Sequence, residues 1–138
     1  MPEQMKDTCD FPAFTAHCLE GNILHIDMKK INELTAKDVE QIYECHQKIG
    51  NGKKVYAFVT FQGYIPLSDE AMAAAKKNKM EVIHAASAYV VSNFALRIGV
   101  SFFMNFHKPK YPTHICGTKA EAISWLKQEK LKGQKVLA

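Results

Sequence analysis

Ala88-Tyr89-Val90-Val91-Ser92 runs directly into the apolar stretch Asn93 to Phe106, which breaks at Lys108-Pro109-Lys110-Tyr111-Pro112. A short β-type run follows, and then Thr118-Lys119-Ala120-Glu121, whose threonine and glutamate have the spacing of a helix capping box. Strand, helix, strand, helix in succession predicts a sheet whose strands are joined by crossover helices. Upstream, Val55 to Phe61 is an uninterrupted run rich in β-branched and aromatic residues, as suits a central strand covered on both faces. Ala85 to Val91 reads as a second buried strand. Between them Ser68 is a good N-cap for a short alanine-rich helix, Asp69 to Met80, acidic at its start and lysine-rich at its end.

The first half supplies a hairpin and one more helix. Phe14 to Leu19 and Ile23 to Met28 flank the turn Glu20-Gly21-Asn22, and the second of these strands alternates one buried and one partly wet face. Thr35-Ala36-Lys37-Asp38 fits a capping box, and Val39, Ile42, Tyr43, His46 and Ile49 follow at helical spacing until Gly50-Asn51-Gly52 stops the helix. The expected fold is α/β. Its mixed sheet has about five strands, an N-terminal hairpin followed by alternating helix and strand, in the order ββαβαβαβα. Residues 1–11 read as a flexible lead-in, 12–130 as a single domain and 131–138 as a flexible tail.

With 138 residues, 47% hydrophobic and 23% charged, the chain can build one ordinary core. The net charge of +4 comes from scattered lysines rather than a stripe, so no nucleic-acid surface is expected. Cys9, Cys18, Cys45 and Cys116 form no CxxC pair, and Met1-Pro2-Glu3-Gln4 does not read as a secretory signal. The expectation is a cytoplasmic protein with reduced thiols and no membrane span.

A search for catalytic chemistry finds little. His17, His25, His46, His84, His107 and His114 show neither HExxH nor zinc spacing with cysteine, and no GxSxG, Walker A or GxGxxG loop is present. A tight hairpin would set Cys18 opposite His25 with Asp27 nearby, a loose three-ligand arrangement; a strand-surface histidine is the commoner case. His46 reads as a packed core histidine. No metal, cofactor or enzymatic activity is expected. Lys54 to Phe61 matches the RNA-stacking motif of RRM domains except at Val55, which leaves RNA binding through Tyr56, Phe58 and Phe61 as a remote alternative. The order of elements argues instead that these aromatics are core.

Asn93, Arg97, Ser101 and Asn105 are the only polar residues between Asn93 and Phe106, and their four-residue spacing makes one narrow stripe on a helix. The rest offers nearly twice the apolar arc of roughly 100° that a sheet-covering helix buries. Its excess is covered either by the domain itself or by a contact surface; as a contact surface a homodimer is expected, with an apolar ligand as the alternative. The residues assigned to such an interface are Ile98, Gly99, Phe102, Phe103 and Phe106. Gln62 to Leu67, at the C-terminal end of the central strand, is where an open sheet presents a ligand or partner, and Tyr64, Ile65 and Ser68 are the candidate residues.

This order of strands and helices resembles the STAS domain, typified by bacterial anti-sigma-factor antagonists. Ala88 to Ser92, Phe102-Phe103-Met104-Asn105-Phe106-His107-Lys108-Pro109, Tyr111-Pro112-Thr113 and Glu121-Ala122-Ile123-Ser124-Trp125-Leu126 look like an uncharacterised bacterial STAS-like family. That family shares a strand, an "NFFLxxNKPxxPT"-type segment and a final "EAxxWL" helix. The resemblance implies a protein-binding or regulatory domain, with an unknown protein partner, rather than an enzyme. It also implies a candidate phosphorylation site at Ser68, which matches the switch position of the antagonists. STAS-like folds are often grouped with CRAL-TRIO lipid-binding domains, and this supports the alternative of a small apolar ligand or lipid.

Overall fold

Alternation in Ile23–Met28 lets one strand serve two layers, and its neighbours repeat the pattern in register. The structure, a computed structural model, describes residues 8–19, 21–51, 53–66, 68–77, 84–107 and 110–137, the ends of the third and fourth helices by backbone alone. Strands β1 (Thr8–Asp10), β2 (Phe14–Leu19), β3 (Ile23–Met28), β4 (Val55–Phe61), β5 (His84–Val90) and β6 (Thr113–Cys116) form one six-stranded sheet in chain order. The pairs β1–β2 and β2–β3 are antiparallel, and β3 to β6 run parallel. Four helices accompany them among the described residues: α1 (Ala36–Gly50), α2 (Asp69–Lys77), α3 (Phe94–His107) and α4 (Lys119–Leu137).

Register sorts the side chains. Leu24 stands beside Ala57 and Ile26 beside Val59, and these join Phe14, Val39, Cys45, Ala71 and Ala75 in one buried cluster under α1 and α2. On the opposite face Ile23, Phe58, Ala86 and Ala88 meet Ala122 and Leu126 of α4. The third helix lies on the α1/α2 side, where Leu96 and Val100 pack with Val91 against Phe61, Tyr89 and Ile115.

Local chemistry sets the helix ends as the sequence implies. At α1 the Asp38 amide donates to Thr35 Oγ1 (3.3 Å) and the Thr35 amide donates to Asp38 Oδ2 (2.9 Å), so two orphan donors are satisfied reciprocally. The helix stops at Asn51, whose φ of 49° is left-handed. At α4 the Glu121 amide donates to Thr118 Oγ1 at 3.2 Å. The hairpin between β2 and β3 turns through Gly21 and Asn22, with φ of 84° and 60°, as a tight turn requires.

Three expectations are corrected. The sheet has six strands, because Thr8–Asp10, read as lead-in, pairs with Thr15–His17; three residues are too few to show a period. The residues read as a tail, from 131 on, continue α4 as far as Leu137. A Cβ at Gly133 would lie only 2.8 Å from Tyr56 Oη, so the helix crosses that ring closely. The RNA-stacking alternative also falls. Phe58 is fully buried under α4, while Phe61 points to the other face of the sheet. The three aromatics therefore form no exposed platform. Residues 78–80, assigned to the end of the second helix, and Leu67 lie outside the described residues.

Candidate functional site

The third helix stands off the sheet, and a cavity of about 320 Å³ lies beneath it. Ile26 and Met28 of β3, Val59 and Phe61 of β4, and Ser87 and Tyr89 of β5 form its floor. Helix α1 contributes Val39, Ile42 and His46, and α2 contributes Ala71, Met72 and Ala75. The roof is Leu96, Gly99, Val100, Phe102 and Phe103 of α3. Small residues on α2 and a glycine on α3 leave this room, since alanine and glycine cannot reach across the gap between layers.

Tyr64 and Phe102 line the cavity and are also 55% and 62% exposed, which marks the mouth. The loop that carries Tyr64 is tied at its far end, where the Leu34 amide donates to Pro66 O (2.8 Å) and the Ser68 amide to Leu34 O (3.2 Å). A Cβ at Gly99 would meet Tyr64 Cε1 at 3.3 Å, so this glycine makes room for the tyrosine ring.

One end of the cavity is polar. His46 and His84 meet edge to face with ring centroids 4.6 Å apart, and His84 stacks on Tyr111 at 4.9 Å. His46 Nδ1 lies 2.7 Å from the Ile42 carbonyl, which can only accept, so the proton sits on Nδ1. Burial lowers the His46 pKa to about 4, the Ile42 carbonyl opposing the shift, and the ring is neutral at pH 7. Its Nε2 is buried with no hydrogen-bond partner, as is Ser87 Oγ. Burial also raises the Tyr89 pKa; Ser87 and Tyr111 come near enough to ease that shift, yet Ser87 Oγ reaches no partner in hydrogen-bond geometry.

Of the three candidate residues of the ligand loop, Tyr64 and Ile65 line this cavity and Ser68 does not. Ser68 is buried and caps α2, its Oγ accepting from the Ala71 amide at 3.0 Å. The proposed interface residues divide. Ile98 and Phe102 are exposed, whereas Phe103 packs inward and Gly99 sits beneath Tyr64. The Phe106 side chain lies outside the described residues. Phe94, passed over in the sequence, is 76% exposed and completes an outward ridge with Ile98 and Phe102 at four-residue spacing.

On the opposite face His25, Thr60 and Asp27 are linked. His25 Nε2 lies 2.8 Å from Thr60 Oγ1, which donates to Asp27 Oδ1 at 2.7 Å. Cys18 is not part of this group. Its register partner is Leu24, and His17 is the residue opposite His25, so Cys18 projects to the other face. Among the described residues no three histidine, cysteine or acidic side chains converge to hold a metal ion, and no helix is long and apolar enough to cross a membrane.

A family profile described as a domain of unknown function, DUF7793, matches residues 17–130. The chain belongs to the DUF7793 family. Its fold is that of a solved DUF3478-family protein from Shewanella loihica PV-4, described as uncharacterised with a SpoIIAA-like fold. The two share 16% identity with a TM-score of 0.56, over 83% of this chain and 92% of that one. The DUF7793 chain is thus STAS-like in architecture. A protein of unknown function from Arthrobacter sp. FB24 aligns at 16% identity over 81% of this chain and 97% of its own, with a TM-score of only 0.31. No curated protein matches the sequence.

The neutral His46 makes folding sensitive to acid. Its folded pKa of about 4 lies below the ordinary 6.5, so the unfolded chain binds a proton that the folded chain refuses. Stability is full above the unfolded value and falls as pH drops from about 6.5 to about 4, by roughly 3 kcal/mol in all. His25, lowered chiefly by burial, acts in the same direction. Urea unfolding at stepped pH should show this slope, and His46→Phe should flatten it; an equally steep slope in the variant would show that His46 is not its source.

Proposed function

We propose that this domain is a non-enzymatic binding protein that takes a small, mainly apolar ligand beneath α3. The observation that carries this reading is the cavity of about 320 Å³, with apolar walls from three helices and the sheet and a mouth at Tyr64 and Phe102. That volume falls at the lower end of the range of ligand sites, and an apolar lining with a few polar groups at one end is their usual composition. Tyr64 and Ile65, picked out as a ligand loop in the sequence, belong to its wall. His46 supports binding rather than proton transfer, because its proton is held against its own helix and its ring stays neutral at physiological pH. A cytoplasmic setting suits four free thiols.

Nile red should bind saturably, with its emission raised and shifted to the blue, and native mass spectrometry should find a co-purified apolar compound. Ala75→Phe places a ring in the cavity and should weaken Nile red binding by about tenfold or more while the melting curve stays cooperative. Unchanged affinity in a folded Ala75→Phe protein would put the ligand elsewhere.

A second reading concerns partners. Phe94, Ile98 and Phe102 make a ridge of large exposed apolar side chains along α3, which favours self-association or contact with another protein over bare exposure to water. Sedimentation should find a homodimer at micromolar concentration, and Ile98→Glu should convert it to monomer. A strictly monomeric wild-type protein would defeat the homodimer.

A further inference from the structure

We propose that the cavity selects an uncharged ligand carrying a hydroxyl or N–H group, which donates to His46 Nε2; this rests on the ligand-cavity reading above. His46 is 2% exposed, and its Nδ1 is committed to the Ile42 carbonyl one turn back on its own helix. The opposite ring nitrogen belongs to a side chain that lines the cavity, is turned from the Ile42 carbonyl, carries a lone pair, and has no donor to accept from. A buried acceptor left in that state is destabilising, and a donor-bearing ligand would relieve it. Ser87 Oγ, fully buried on the same cavity, is a second polar atom without a partner and can accept or donate.

The same geometry discriminates by charge. An ionised fatty acid offers only acceptors, so its carboxylate would meet the Nε2 lone pair with nothing between them. It would also be stripped of water among apolar walls. An alcohol, a phenol or a secondary amide meets the site's requirement; an ether, an ester or a carboxylate does not.

The test uses the full chain with 4-pentylphenol and its methyl ether, in which a methyl group replaces the donor hydrogen; comparing the two proteins cancels the effect of that methyl. In calorimetry the ratio of phenol to ether affinity should fall about tenfold on going from wild type to His46→Phe. Should that variant not fold, nitrogen NMR of the wild-type imidazole serves instead: the unprotonated Nε2 resonance should move with the phenol and stay put with the ether. Equal ratios in the two proteins, or an unmoved Nε2 signal on phenol binding, would overturn the donor rule while leaving the cavity reading intact. Binding of neither compound, and none of Nile red, would overturn both.

A separate observation carries a second proposal: Cys9 of β1 and Cys45 of α1 form a reversible disulfide. Their sulfurs stand 2.7 Å apart as free thiols, near the bonded distance of roughly 2.05 Å, although the residues are 36 positions apart. Cys9 is partly accessible, whereas Cys45 is buried and its pKa is raised chiefly by that burial, so attack begins at Cys9. The Cys9 thiolate displaces one glutathione thiol from glutathione disulfide. Cys45 then loses its proton, attacks Cys9 Sγ and releases the second, the two electrons passing to glutathione.

After equilibration with glutathione disulfide and alkylation, mass spectrometry should show one linked peptide pair joining Cys9 and Cys45, reversed by dithiothreitol, with Cys18 and Cys116 alkylated. Alkylation of all four thiols, or linkage through Cys18 or Cys116, would overturn the pairing.

Discussion

The parallel pairing of β3, β4 and β5 is the constraint on which the rest of the molecule depends. In register, Ile26, Val59 and Tyr89 fall on one face of the sheet, and His25, Phe58 and Ala88 on the other. A slip of one residue would exchange the faces, sending Phe58 into the cavity and Ser87 among the alanines under α4. The β4–β5 pairing carries an irregularity between Val55 and Tyr56, where the partners step from His84 to Ala86. It restores the alternation beyond that point and leaves His84 facing His46 and Tyr111 at the edge of the cavity.

The two faces are used differently. Under α4 the packing is close: Phe58, Ala86, Ala88, Ala122 and Leu126 are fully buried, and small side chains on β5 let the helix approach. Under α3 the packing is loose, since Leu96 and Val100 reach the sheet while Gly99 leaves a gap that Tyr64 partly covers. The sheet thus carries a close-packed layer on one face and a cavity on the other. The α3 helix is consequently two-sided, roofing a cavity with one flank and presenting Phe94, Ile98 and Phe102 to solvent with the other.

Two buried polar atoms give the cavity its chemical character. A histidine so deeply buried would be costly if charged, and the Ile42 carbonyl fixes the neutral tautomer that leaves Nε2 bare. Helical spacing with Val39, Ile42 and Ile49 is enough to suggest a core histidine at position 46, and the side chain is buried. The approach of His84 from β5, and of Tyr111 from the loop before β6, was not visible in that spacing, since neither shares a periodic pattern with His46.

The chain's own order of signals determined a great deal. Capping boxes at Thr35 and Thr118, the stop at Asn51, the alternation in Ile23–Met28 and the apolar run from Asn93 fixed the elements, because each is local chemistry satisfied within a few residues. The excess apolar surface of α3 was legible too, being a property of one helix. What only the tertiary structure decided was where each surface went. Thr8–Asp10 becomes a strand because β2 supplies its hydrogen bonds, and Gly99 turns inward beneath Tyr64 while Phe94 turns outward. The cavity is likewise a gap between elements distant in sequence, and no periodicity within one element records the space left between two.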